Sequence, residues 1–87
     1  MKHYWKDVPR LGNVVVSRHA QKRALDEDIS EALFAEVLLE GKDTPDGQDT
    51  ILRESMGIRL VIITPTPFRG AKLVKTLFRV KPSLLIR

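Results

Sequence analysis

Residues 57–64, GIRLVIIT, set the strongest constraint on how this chain can fold. The middle of the stretch is apolar on both faces of an extended strand. A half-buried strand alternates apolar and polar residues, whereas a strand with neighbours on both sides and cover above and below does not. GIRLVIIT therefore predicts a central strand, and the rest of the chain has to pair with it and cover it. Only 87 residues and no cysteine are available for this. A chain this short builds one modest core, without a disulfide framework or thiolate metal sites. One α+β domain over residues 1–87 is the expectation.

The neighbouring punctuation fixes the elements around that strand. Asp49–Glu54 reads as a second strand, joined to the first through a hairpin at Ser55-Met56-Gly57. Pro65-Thr66-Pro67-Phe68-Arg69-Gly70 lacks two ladder donors and reads as a loop. Lys72–Lys81 reads as a strand with Leu73, Lys75, Leu77 and Arg79 on one face and Val74, Thr76, Phe78 and Val80 on the other. Ser83–Ile86 reads as an edge segment or a loose tail. Asn13–Val16 is short and β-branched and reads as a strand leading into a helix.

Ser17 is a good N-cap, and Arg18–Asp26 favours helix with Ala20, Ala24 and Leu25 facing inward. Asp28-Ile29-Ser30-Glu31 has the form of a capping box and predicts a second helix from Ile29. Its apolar positions, Ile29, Leu33 and Val37 beside Phe34 and Leu38, recur at helical spacing. Gly41 is placed to end it in the left-handed conformation. Lys42–Gln48 reads as a turn-rich loop, and its acids Asp43, Asp46 and Asp49 lack the full calcium-loop pattern. The predicted order is β-α-α-β-β-β: two N-terminal helices packed on a curved antiparallel sheet, with residues 1–12 an N-terminal extension whose Tyr4 and Trp5 anchor it to the core.

Charge is segregated along the chain. Residues 1–25 hold six bases and one acid, a net of +5. Residues 26–54 hold two bases and ten acids, a net of −8. Residues 55–87 hold seven bases and no acid, a net of +7. If the two basic ends meet, they form a positive face that attracts polyanions. The N-terminus has no signal-like apolar stretch, and Leu60–Ile63, the longest strongly apolar run, is too short to span a bilayer, so a cytoplasmic protein is expected. No nucleotide-loop, HExxH or CxxC pattern is present, so neither a metal nor a cofactor is expected.

His19 lies in the first basic segment, with Arg23 four residues on and Lys22 three on, all within one turn of helix. An imidazole among cations can serve as a general base near neutral pH, and arginine and lysine can hold a phosphate. These groups fit attack of a ribose 2′-hydroxyl on the adjacent phosphate. His19 and Arg23 are the catalytic candidates; Lys22, Arg18, Arg59, Arg69 and Arg79 are the phosphate-binding candidates, with Arg53 a further one. The competing reading makes His19 an ordinary helix-surface residue.

The run VVVSRHAQKRALDEDIS, with His19, Ala20, Arg23, Ile29 and Ser30, followed by EALFAEVLLEG, resembles a bacterial family of small domains with a His-Ala-x-x-Arg signature. That family is similar to the RelE/ParE-like toxin superfamily, a grouping that includes barnase-, EndoU- and colicin-type ribonucleases. The resemblance implies a helical hairpin against a curved antiparallel sheet, and for many members metal-independent RNA cleavage. It also implies a cognate acidic antitoxin as partner. Three readings follow: a toxin-like ribonuclease acting on RNA, a non-catalytic toxin or phage inhibitor that blocks a host protein, and a nucleic-acid-binding accessory domain. Loss or survival of the effect without His19 separates them.

Overall fold

A computed structural model describes residues 1–64 and 70–80. Eight elements follow in order: β1 (Tyr4–Val8), β2 (Gly12–Val16), α1 (Arg18–Asp26), α2 (Glu31–Glu40), β3 (Lys42–Pro45), β4 (Thr50–Ser55), β5 (Ile58–Ile63) and β6 (Ala71–Arg79). They form one six-stranded sheet in the order β1-β2-β6-β5-β4-β3. β2 pairs with β6 in parallel and every other pairing is antiparallel.

This overturns the predicted architecture of two N-terminal helices on an antiparallel β-α-α-β-β-β sheet. The sheet is mixed, and the helices sit between strands. Two segments account for the difference. Residues 1–12 are no extension, because Tyr4–Val8 pairs with β2 and closes a hairpin. Lys42–Pro45 is no loop, because it pairs with β4 as an outer strand; only Asp46–Asp49 turns. Pro45 is tolerated there because β3 is an edge. Chain direction explains the parallel pair. The helical hairpin and the three-strand meander return the chain beside β2 with β6 running the same way, as a long crossover requires.

The helices form as their sequences dictate. Ser17 caps α1 by accepting from the Ala20 amide at 3.0 Å, and Ser30 caps α2 by accepting from the Leu33 amide at 3.1 Å. The cap of α2 is thus Ser30, two residues beyond the predicted one. Asp28 instead takes a left-handed turn (φ 56°) that reverses the chain between the helices. Ala20 and Ala24 are buried, but Leu25 is 82% exposed, so the inward face of α1 is narrower than predicted. Met56 and Gly57 both have positive φ, which the tight β4–β5 turn requires.

Both helices cover one face of the sheet. Phe34, Val37 and Leu38 of α2 and the two alanines of α1 meet Ile58, Leu60, Ile62, Val74 and Leu77, all essentially inaccessible to solvent. Trp5 packs on Phe34 at 5.8 Å between ring centroids, so the aromatic does anchor the first strand. Strict alternation in β6 fails. Val61 pairs with Thr76 but Ile62 pairs with Val74, which leaves Lys75 as a bulge residue. The bulge lets Val74 and Leu77, three apart, point into the same core.

The one buried charge among the described residues is Arg53, on the core face of β4. Its Nε and Nη2 donate to the two carboxylate oxygens of Asp43 at 2.5 and 2.8 Å, Nη1 donates to the Leu38 carbonyl at 2.6 Å, and Nη2 also donates to the Pro9 carbonyl at 2.9 Å. Arg10 adds bonds to Asp43 and to the Gly41 carbonyl. Pro9 and Arg10 belong to the β1–β2 turn, while Asp43 and Arg53 lie on β3 and β4. Sheet twist thus brings two diagonal corners together over the helices, and these side chains clasp them. Gly41 ends α2 with φ −68°, not left-handed; glycine is needed there because a Cβ would lie 2.7 Å from Arg53 Cγ and 2.5 Å from the Val37 carbonyl oxygen.

Candidate functional site

The first turn of α1 is stitched to β6 at the bulge. The Ser17 amide donates to the Val74 carbonyl at 3.1 Å, and Ser17 Oγ donates to the Lys75 carbonyl at 2.9 Å. One hydroxyl therefore caps the helix and joins it to the strand. The contact brings together two segments 58 residues apart in sequence, both drawn from the basic ends of the chain. Arg18, His19 and Lys22 project from α1 into solvent here, and Lys75 is exposed on β6. Two of the three charge blocks thus meet at this junction, while the acidic block runs from the end of α1 through α2 to β3 and β4.

His19 lies one turn before Arg23, about 6 Å along the helix axis. Among the described residues it has no hydrogen-bond partner, and it is exposed to solvent. Lys22 pairs with Asp26 at 3.4 Å with both side chains half or more exposed, a pair worth little and easily exchanged for a phosphate.

Arg23 and Arg79 flank the far end of the helix. Arg23 is about one-third exposed, donates to Glu27 Oε2 at 3.2 Å and makes a long bond to the Leu77 carbonyl at 3.4 Å. Arg79 donates to the carbonyls of Glu27 at 3.0 Å and Asp28 at 3.2 Å. These carbonyls belong to the end of α1, where backbone acceptors lack helical partners and the dipole is negative, so a guanidinium is well placed there. An open groove of about 710 Å³ runs beside them, lined by Arg23, Glu27, Arg79, Phe78, Val80 and the Met56-Gly57 turn. His19 is not among its walls.

The remaining predicted residues are distributed differently. Arg59 alternates with the buried Ile58 and Leu60, so it lies on the sheet face opposite the helices. There it pairs with Glu54 and lies over the Phe78 ring at 5.7 Å. It does not join His19. Arg53 is withdrawn from the phosphate candidates because the clasp occupies its guanidinium. Arg69 lies outside the described residues. The sequence reading singled out neither the groove residue Phe78 nor the bulge at Lys75. The signal for the bulge was the V-K-T-L spacing, where two core residues stand three apart in a strand.

No helix among the described residues is long and apolar enough to cross a membrane, which says nothing of strands. No family model, curated protein or solved structure matches the chain.

Proposed function

We propose that this chain is a small toxin-like protein that binds RNA across α1 and β6 and cleaves it without a metal. The junction of the two basic segments at Ser17 carries the reading, because it seats α1, with its exposed Arg18, His19 and Lys22, on β6 of the last basic segment. The His-Ala-x-x-Arg resemblance supports it from the sequence. In this reading Arg18 and Lys22 hold the phosphate, and Arg23 and Arg79 line the groove that takes a neighbouring nucleotide. His19 accepts the proton of a ribose 2′-hydroxyl. The oxygen bonds to the adjacent phosphorus, the bond to the 5′-oxygen breaks, and that oxygen takes up a proton. The products are a 2′,3′-cyclic phosphate and a 5′-hydroxyl. A partner of acidic character would cover the same cations.

A second reading, a non-catalytic inhibitor of a host protein, is favoured by the backbone carbonyls that already engage Arg23 and Arg79. The test is RNA cleavage by purified protein in EDTA, with His19→Ala and Arg23→Ala beside wild type. Cyclic-phosphate ends that disappear in His19→Ala, with circular dichroism unchanged, are expected. Intact RNA with a folded wild type, with and without ribosomes, overturns the catalytic reading and leaves the inhibitor.

A further inference from the structure

The groove at the end of α1 holds more than phosphate binding needs. Arg23 and Glu27, one turn apart on the helix, set a guanidinium Nη2 beside a carboxylate oxygen at 3.2 Å. Arg79 of β6 pins the same helix end through the Glu27 and Asp28 carbonyls. Phe78, Val80 and Met56 make the rest of the wall apolar. Phosphate by itself calls for neither a carboxylate, which repels it, nor an apolar wall.

Met56 adds an independent observation. It takes φ 53° in the β4–β5 turn and stays 63% exposed. Left-handed backbone is unfavourable for a bulky side chain, and a tight hairpin turn forms more easily with asparagine or glycine. The fold gains little burial from the methionine in return. Strain at an exposed thioether on the rim of a groove is accounted for by a contact with a molecule outside the chain. Methionine sulfur packs well against aromatic rings, and a nucleobase offers one.

Resting on the reading that this groove takes a nucleotide of RNA, we propose that the nucleotide is guanosine and that Glu27 selects it. An unstacked base is read along its pairing edge. Guanine presents there one acceptor, O6, followed by two adjacent donors, N1–H and N2–H. Arg23 Nη2 donates to O6, and the two Glu27 oxygens accept from N1–H and N2–H. Glu27 keeps 27% of its side chain exposed, and its second oxygen accepts no bond among the described residues. Adenine offers a carboxylate one donor, and uracil one donor between two acceptors. Cytosine offers one donor and two adjacent acceptors, which call for both sides of an arginine fork. The Nε side of Arg23 already faces the Leu77 carbonyl. A purine also covers more of the apolar wall than a pyrimidine does. Arg79 is left to meet the phosphate.

NMR titration of the isotope-labelled full chain with the four nucleoside monophosphates, and with inorganic phosphate, tests this. Guanosine monophosphate should bind about tenfold more tightly than the other three, as one good bidentate contact provides. Glu27→Gln should remove the preference with circular dichroism unchanged. Met56→Gly should weaken all four nucleotides alike while the melting temperature holds or rises, a combination that a purely structural methionine does not give. Equal binding of the four, inorganic phosphate binding as well as guanosine monophosphate, no binding at millimolar nucleotide, or a preference that survives Glu27→Gln overturns the proposal. A falling melting temperature in Met56→Gly overturns the part given to the methionine. The cleavage reading fails separately. Intact RNA beside a guanosine preference removes cleavage and keeps this site, whereas cleavage after every base removes this site and keeps cleavage.

Discussion

Arg53 shows how one residue can be read correctly as chemistry and wrongly as function. A buried guanidinium is costly unless it is paired and bonded throughout, and here Asp43 and two backbone carbonyls supply the pairing. Asp43→Asn should cost on the order of 3 kcal/mol, the low end for breaking a buried pair because Asp43 keeps 23% of its side chain exposed. Urea unfolding measures this. The hydrogen bond from Arg53, helped by Arg10 and opposed by burial, holds the Asp43 carboxyl below its ordinary value of 3.8. A lowered folded-state pKa stabilises the fold fully above the unfolded value, and the contribution fades as pH falls from about that value through the folded one. The acid-unfolding curve should therefore lose part of its slope below pH 3.8 in Asp43→Asn. Gly41→Ala should lower stability by about 1–3 kcal/mol, because the new methyl meets backbone and a packed arginine stem. An unchanged melting temperature would show that the clasp yields easily.

Within the elements, local chemistry was legible wherever the signal was itself local. Ser17, the Met56-Gly57 turn and the paired helices all stand where the residues put them. The failures share one cause. Lys42–Pro45 has loop composition, and only its ladder to β4 makes it a strand. The bulge at Lys75 is fixed by the β5–β6 register, and the first turn of α1 is seated on it through Ser17. Ser17→Ala should cost about 1–2 kcal/mol, the loss of a cap together with its bond to β6. Ser30→Ala, which loses a cap alone, should cost about 1 kcal/mol. Chemical denaturation of the two variants gives the difference, and equal losses would remove the seat of α1 as a stabilising contact.

On the scale of the whole molecule, the two basic segments of the sequence become neighbours, and ion pairs such as Arg10–Asp43 and Arg59–Glu54 tie each of them to the acidic segment. The parallel β2–β6 pair brings the last basic segment back to the first. RNA affinity on the proposed surface should fall with salt, and Arg18→Ala and Lys22→Ala should each reduce the log–log slope by about 0.7, one phosphate contact on a single strand. Fluorescence anisotropy across a salt series reads both. Arg59→Ala, on the opposite face, should leave the slope unchanged.

Sequence by itself determined the helices, the Ser17 cap, the β4–β5 hairpin, most of the apolar set that fills the core and the blocks of charge. These depend on spacing and side-chain type within a few residues. Tertiary structure decided the mixed sheet, both outer strands and the clasp. It also seated α1, with His19, on β6 and set Arg59 on the opposite face. Each of these is a pairing between residues far apart in the chain, and the free energy of such a pairing belongs to the geometry of both partners, which neither segment carries alone.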